Sequence, residues 1–498
     1  MNPGSLNYFF LLIGTMIVFY LFNDNKLKQS VLLLASLFFL SFFGIIPVLT
    51  CVLLSILNFY FAQHAYKSAY NFPKLVAINT INIFALLAFR FVNEFEIGAL
   101  FSAPFIGEQF VAALGIGFYS LQNIGYQIDI YKKRYTPEVS LLSFTLCNTF
   151  FTRISSGPIL NIKAFNSSLS TLPSKLTEEN FTVGLQRILI GAIKKLVIAE
   201  RFSFYINLYF DGTDPGAKTG YDVVIACFLF TIQLYFDFSG YMDIAIGSAR
   251  MFGINLNENF NMPLRSQSVS EWWRRWHITL INWFTQYIYY PVAYKFRSKR
   301  MMATVFAIIS TFAISAIWHG FGVTYLIWGS LHIMYLIIEN FLKKDLLKLN
   351  EKLTSFYYQL IFTPLTFILV SFSNLFFRSN SLADAKRLLL KLIDWRHFFP
   401  DISLKSWILN GVDWKMEFMV SMRLGFLFAI LYLLFEEKLS SRLNKSKFSI
   451  PLISFLIIFL IVFGVFNSGT RFIYMNFCFY VEEIFIHHFS LPSFFICC

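Results

Sequence analysis

Ala316-Ile-Trp-His-Gly-Phe-Gly322 lies inside a run, residues 301–338, that carries no Asp, Glu, Lys or Arg. Such a run is long enough to cross a hydrocarbon core of about 30 Å, even when shared between two helices. An ionisable side chain is costly to bury there, and those that occur face a cavity, a partner or a substrate path. His319 is therefore the first functional candidate. Upstream, Ser268-Val-Ser-Glu-Trp-Trp-Arg-Arg-Trp-His-Ile-Thr279 places a charged, aromatic segment between apolar runs.

The same reading extends over the whole chain. Of 498 residues, 57% are hydrophobic and 19% aromatic, only 14% are charged, and the mean hydropathy is +0.60. A soluble domain carries about 25% charged residues, so lipid is the expected solvent. Apolar windows number about eleven to thirteen, counting partial spans. They lack the period-two alternation of barrel strands, so the fold class is all-α and polytopic.

The formal charge of +13 could point to nucleic acid, but the basic residues form short clusters between apolar runs. That is the pattern of cytoplasmic loops, with a second use in holding a phosphorylated cosubstrate. Residues 1–22 have neither a basic n-region nor a cleavage site, and they read as a retained first span. Lys26 and Lys28 follow, which places the amino terminus outside. The six cysteines show no metal spacing and no disulfide framework, so no metal site is expected. Cys497 and Cys498 do not make a prenylation box.

Residues 6–22, 31–46, 47–63 and 75–92 read as spans. Residues 112–129 are apolar but laced with Gly, Ser, Gln and Asn, which marks an interior helix. Residues 143–165, with Arg153 and Ser156-Gly-Pro158, fit either a loop or a re-entrant element lining a cavity. Residues 183–199 form a short span ending in Lys194 and Lys195. Residues 223–235 lead into a segment holding Asp237 and Asp243, for which two uses are open, pairing with Arg250 or Arg265 or helping to shape the site, with structure favoured over direct chemistry. Further spans are 356–377, 424–435 and 450–466.

Ser268 with Glu271 is a capping-box signature. The helix it starts puts Trp272 and Trp276 on one face and His277 near Trp273, Arg274 and Leu280. Arg274, Arg275 and His277 then have two readings: anchors at the membrane interface, or a basic aromatic ledge for a phosphate-bearing cosubstrate. Gly320 and Gly322 permit a kink or a close backbone approach. His332, one turn past Trp328, is the third intramembrane histidine, ranked after His319 and His277. His397, His487 and His488 receive no role.

Pro263-Leu-Arg-Ser266, then Glu271-Trp-Trp-Arg-Arg-Trp-His-Ile-Thr-Leu280, Trp283, Tyr287-Ile-Tyr-Tyr-Pro291 and Trp318-His-Gly320 resemble the membrane-bound O-acyltransferase family. The branch most similar is that of bacterial alginate and peptidoglycan O-acetylation membrane proteins. Leu114-Gly-Ile-Gly-Phe-Tyr119, Ser156-Gly-Pro158, residues 191–199, Tyr235-Phe-Asp-Phe-Ser-Gly-Tyr241 with Asp243, Phe376-Phe-Arg378 and Arg471-Phe-Ile-Tyr474 extend the resemblance in order. Departures are Ser155-Ser156-Gly157 in place of Val-Ala-Gly, and Met475-Asn476. The D-alanylating relatives of Gram-positive cell walls share the Arg-Arg-Trp-His and Trp-His-Gly elements.

The resemblance implies one transmembrane acyltransferase domain, 1–498, with N-terminal spans (1–135), a core with re-entrant and amphipathic segments (136–345) and C-terminal spans (346–498). It implies a ring of helices around a central funnel with His319 at the narrowest point. It also implies acetyl transfer from a cytoplasmic thioester, acetyl-CoA, to a cell-envelope polysaccharide across the bacterial inner membrane. His319 and His277 are the implied catalytic residues, and Arg274, Arg275 and Arg265 the candidates for cosubstrate phosphates. A periplasmic O-acetyltransferase of the SGNH type is the implied partner beyond the lipid bilayer. D-alanyl or other acyl transfer, and a transporter or flippase without covalent chemistry, are the alternatives. A lipid-sugar glycosyltransferase would need an acidic residue in a large outer loop, and none is evident.

Overall fold

The computed structural model describes residues 5–466 except 69, 95–114, 211–218, 300, 353–354, 395–415 and 444–449. The 471–476 motif, Leu114, His397, His487 and His488 lie outside the described residues. Among the described residues there are helices and no strands. Six helices among the described residues are long and apolar enough to span a membrane, and two shorter apolar helices accompany them.

Four helices open the chain: α1 (Leu6–Leu21), α2 (Asn25–Ser41), α3 (Ile45–Lys67) and α4 (Phe72–Glu94). Ser5 and Asp24 cap the first two through their side chains. α5 (Ile116–Tyr131) and the short α6 (Leu141–Thr149) pack against α3, and α6 also against α2. After α6 the chain turns irregularly to α7 (Ile162–Ser170), and every residue from 143 to 160 is buried. The irregular backbone here is enclosed by protein and is not a surface loop. Side-chain amides knit this region together: Asn148 donates to Ser55 and Asn123 at 3.0 and 3.1 Å, and Gln122 donates to Asn148 at 2.9 Å.

The centre of the molecule is α10 (Gly220–Met251), with 78% of its apolar window inside the protein. It starts on a capping box between Thr219 and Asp222. It runs as one helix through the Phe236–Asp243 segment. Against it lies a continuous arm: α8 (Glu178–Ala192), a π-helical turn at Ile193–Ala199, and α9 (Glu200–Phe210). The expected short span at 183–199 is thus the middle of a longer element.

Two glycine pairs permit the contact. A Cβ on Gly191 would come 2.4 Å from the Gly240 carbonyl oxygen, and one on Gly247 would come 2.5 Å from that of Gly184. Gly191→Ala is therefore expected to destabilise the protein by about 1–3 kcal/mol through forced separation of the two helices. Gly14→Ala, where a Cβ meets nothing within 4 Å, is the control in thermal unfolding of the detergent-solubilised protein.

Buried charges lock the same pair. Asp243 binds Arg187 at 2.5 Å and Lys194 at 2.7 Å, and Lys195 binds Asp237 at 2.5 Å and Glu200 at 2.6 Å. This corrects the expected pairing with Arg250 and Arg265. Arg250 instead reaches Glu179 at 2.8 Å, and Arg265 reaches Glu437 at 3.3 Å. Sequence distance hid the true partners, which stand on the neighbouring arm.

The remaining helices are α11 (Val269–Arg275), α12 (Ile278–Phe284), α13 (Tyr290–Lys295), α14 (Met301–His319), α15 (Val323–Lys352), α16 (Ser355–Arg378), α17 (Leu382–Ile393), α18 (Met416–Leu443) and α19 (Ile450–Phe463). α14 and α15 form a hairpin, α16 bridges α15 to α10, and α11 is wedged among α12, α15 and α16. That wedge positions the site.

Candidate functional site

His319 is the last residue of α14 and is 5% exposed. Its ring meets Trp318 at 4.8 Å, Trp328 and Phe377 at 5.1 Å each, and stacks at 6.5 Å on Tyr325. Gly320 is needed for that enclosure, since a Cβ there would lie 2.5 Å from the Tyr325 ring. Of the kink and the close approach, the observed use of Gly320 is the close approach. The Trp318 indole donates to the Gly117 carbonyl at 3.3 Å, tying the end of α14 to the start of α5.

A narrow, partly open cleft, with a free volume of about 20 Å³, lies between His319 and α11. Its walls are Trp272, Trp273, Trp276 and Trp328, closed by Leu234, Val370 and Phe377, with His319, His332 and Asn374 as polar members. Asn374 was not singled out from sequence; its neighbours there are Ser, Phe and Leu, and only the approach of α16 brings it to the cavity. Its amide nitrogen donates to Thr231 at 3.0 Å.

α11 begins as the capping signature predicts, with Ser268 accepting from the Glu271 amide at 3.1 Å. Glu271 reaches back to the amide of Gln267, at 2.8 Å, one residue earlier than in a standard box. Trp272 and Trp276 stack at 5.4 Å and 16°, as expected for one face. The helix stops at Arg275, however, and His277 adopts a left-handed backbone with φ 46°. His277 therefore does not continue the face of Trp273 and Arg274 as the helical spacing implied.

His277 is instead buried in the turn between α11 and α12, where Asn259 organises the backbone. Asn259 Oδ1 accepts from the Thr279 amide and hydroxyl, both at 2.9 Å, and lies 3.4 Å from His277 Nδ1. The imidazole faces Phe238 at 5.0 Å and Phe118 at 6.2 Å. Phe118 also touches Trp318 at 5.6 Å, so an aromatic ring separates His277 from the neighbour of His319. His277 does not line the His319 cavity. It stands outside the six long spans, and burial draws its pKa down to about 3, which keeps it neutral at physiological pH.

The three arginines separate in role. Arg275 is held by Glu271 at 2.7 Å and by the Asn261 carbonyl at 3.1 Å. Arg265 is held by the Leu433 carbonyl at 2.5 Å and by Glu437. Arg274 is exposed. A second cleft, with a free volume of about 50 Å³, adjoins this edge and is lined by Arg187, Lys194, Tyr235, Asp243, Phe260, Asn261 and Glu436 among others. Trp276 separates the two cavities, with its ring 5.0 Å from Phe260 and 6.4 Å from Tyr235. No group of three or more His, Cys, Asp and Glu residues able to hold a metal occurs among the described residues.

Residues 136–382 match the sequence profile of the membrane-bound O-acyltransferase family. The chain is 35% identical over 300 residues to a probable alginate O-acetylase of Pseudomonas syringae pv. tomato, covering 59% of this chain and 54% of that protein. It is 28% identical over 398 residues to the peptidoglycan O-acetyltransferase of Helicobacter pylori, covering 73% of each. It is 28% identical over 248 residues to the teichoic acid D-alanyltransferase of Bacillus subtilis, covering 47% of this chain and 60% of that one. The chain spans about half the length of the alginate O-acetylases it matches. With six long apolar helices, the match makes this a multi-pass membrane protein.

Proposed function

We propose that this chain, which carries a membrane-bound O-acyltransferase domain over residues 136–382, transfers an acyl group from a thioester to a hydroxyl of a cell-envelope polysaccharide, with His319 at the reacting atoms. The observation that carries the reading is a buried histidine at the end of a span, facing a tryptophan-walled cavity. The acceptor hydroxyl attacks the thioester carbonyl while a neutral His319 takes its proton. The C–S bond breaks, and the same proton goes to the departing thiolate, leaving ester and thiol. A transient acyl-imidazole is the two-step form of the same balance. The aromatic walls exclude water, which would otherwise hydrolyse the thioester.

Acetyl is the favoured acyl group, because two of the three relatives above are named for acetyl transfer. Acetyl-CoA is the proposed donor, alginate-like polymer or peptidoglycan the proposed acceptor, and the bacterial inner membrane the proposed location. A periplasmic O-acetyltransferase is the proposed partner for final transfer to glycan. The basic residues Lys26, Lys28, Arg265, Arg274 and Arg275 belong to cytoplasmic segments under the positive-inside rule, so the donor approaches from the α11 side. His277 is assigned as a neutral residue that supports the turn leading to the site.

Labelled acetyl-CoA outside proteoliposomes tests the reading. Release of CoA thiol with label passed to an acceptor supports acyl transfer; substrate that crosses unchanged with the thioester intact supports a transporter. Among the arginines, Arg274 is expected to meet donor phosphate. Arg274→Gln should weaken acetyl-CoA binding by roughly 3- to 10-fold, one charge-assisted contact at a wet surface, measured by titration calorimetry in detergent. Unchanged affinity returns Arg274 to the role of interface anchor.

A further inference from the structure

We propose that His332 is a positioning residue that clamps Trp273 into the wall of the His319 cavity, and that acyl transfer depends on the clamp. The inference rests on the reading of that cavity as the transfer site. Three elements meet at this imidazole, which is 1% exposed: His332 on α15, Trp273 on α11 and Ser373 on α16.

The direction of each hydrogen bond follows from chemistry. An indole N–H can only donate, so the 3.2 Å contact from Trp273 makes Nδ1 of His332 an acceptor. The ring is then neutral, with its proton on Nε2, 2.9 Å from the Ser373 hydroxyl. Ser373 donates its own O–H to the Val370 carbonyl at 2.7 Å, leaving its oxygen to accept from Nε2–H. One chain of donors runs from Trp273 through His332 and Ser373 to backbone.

Both nitrogens of His332 are thereby engaged, although the residue lines the same cavity as His319. It is set to hold an aromatic wall in place. The ring is also wedged between Trp273 at 5.0 Å, Trp328 at 5.1 Å and Phe312 at 5.8 Å, which restricts its rotation. Trp273 sits between Trp272 and Arg274, so its placement sets the short α11 and the two stacked indoles of the same cavity. Freedom in such a wall weakens its contact with bound substrate in ground and transition state alike.

Fluorine NMR of the full chain labelled with 5-fluorotryptophan in detergent gives a readout independent of activity. The resonance absent from Trp273→Phe should shift in His332→Leu, and by less in Ser373→Ala. In acetyl-CoA turnover, His332→Leu should raise KM by about tenfold while kcat stays within about threefold. It should add little to Trp273→Phe, because both remove the same link. A Trp273 resonance unmoved in both variants overturns the clamp, and so do additive losses in the double variant. Loss of the acidic limb of the pH profile with collapse of kcat also overturns it, since His332 would then be a base. If His332→Leu does not accumulate, Ser373→Ala carries both readouts. An active His319→Ala would remove the transfer site from this cavity while leaving the fluorine test of the clamp intact.

Discussion

His319→Ala is expected to lower acyl turnover by about 10²- to 10⁴-fold, the range lost with a positioned general base, while the protein still inserts and remains monodisperse. The imidazole borders a cavity on one side and aromatic rings on the others. Truncation therefore enlarges an existing space, which costs less than opening a void in a sealed core. His319→Gln separates chemistry from packing, because an amide of similar size can hydrogen-bond yet cannot take the hydroxyl proton at neutral pH. It should be as inactive as the alanine variant. Turnover of the native protein should fall on the acid side, since imidazolium has no lone pair to accept a proton. Acetyl release from labelled acetyl-CoA by proteoliposomes, normalised to folded protein, is the measurement. Native rates in either variant would end the assignment of His319 as the reacting group.

Asp243→Leu is expected to be the most damaging structural change, at about 3–5 kcal/mol, the cost of stranding a buried charge by removing its partner. Here two cations lose their shared carboxylate. Arg187 retains Glu258 at 2.5 Å, but Lys194 is left deep beside the rings of Tyr432 and Tyr235, 5.0 and 6.0 Å away. Adding Lys194→Met should recover a large part of the loss, because a buried ion pair replaced whole by apolar atoms is close to neutral. Thermal unfolding in detergent distinguishes the outcomes. A double variant no better than Asp243→Leu alone would show that Asp243 acts through something other than the lysine.

The membrane setting, the helical class and the special place of His319 follow from local sequence: charge is absent from residues 301–338, and a histidine stands in the middle of them. The start of α11 and the stacked faces of Trp272 and Trp276 are likewise local, set by a cap and by helical periodicity. His277 shows where this stops. Helical spacing placed it beside Trp273, yet the helix ends two residues before it and the chain turns there against Asn259. The bonds that Asn259 makes to Ile278 and Thr279 come from a separate loop, which periodicity does not report.

Residue types alone place this chain in lipid and single out His319 as the group to test. Burying charge in hydrocarbon is so costly that residue types alone carry those conclusions. The pairing of the charges, the meeting of Asn374 with His319 at one cleft, the tie at both nitrogens of His332 and the place of His277 behind an aromatic ring all arise from packing. Each of these depends on contacts a few ångströms long between elements far apart in the chain, and hydrogen-bond direction and ion pairing exist only once those elements have packed.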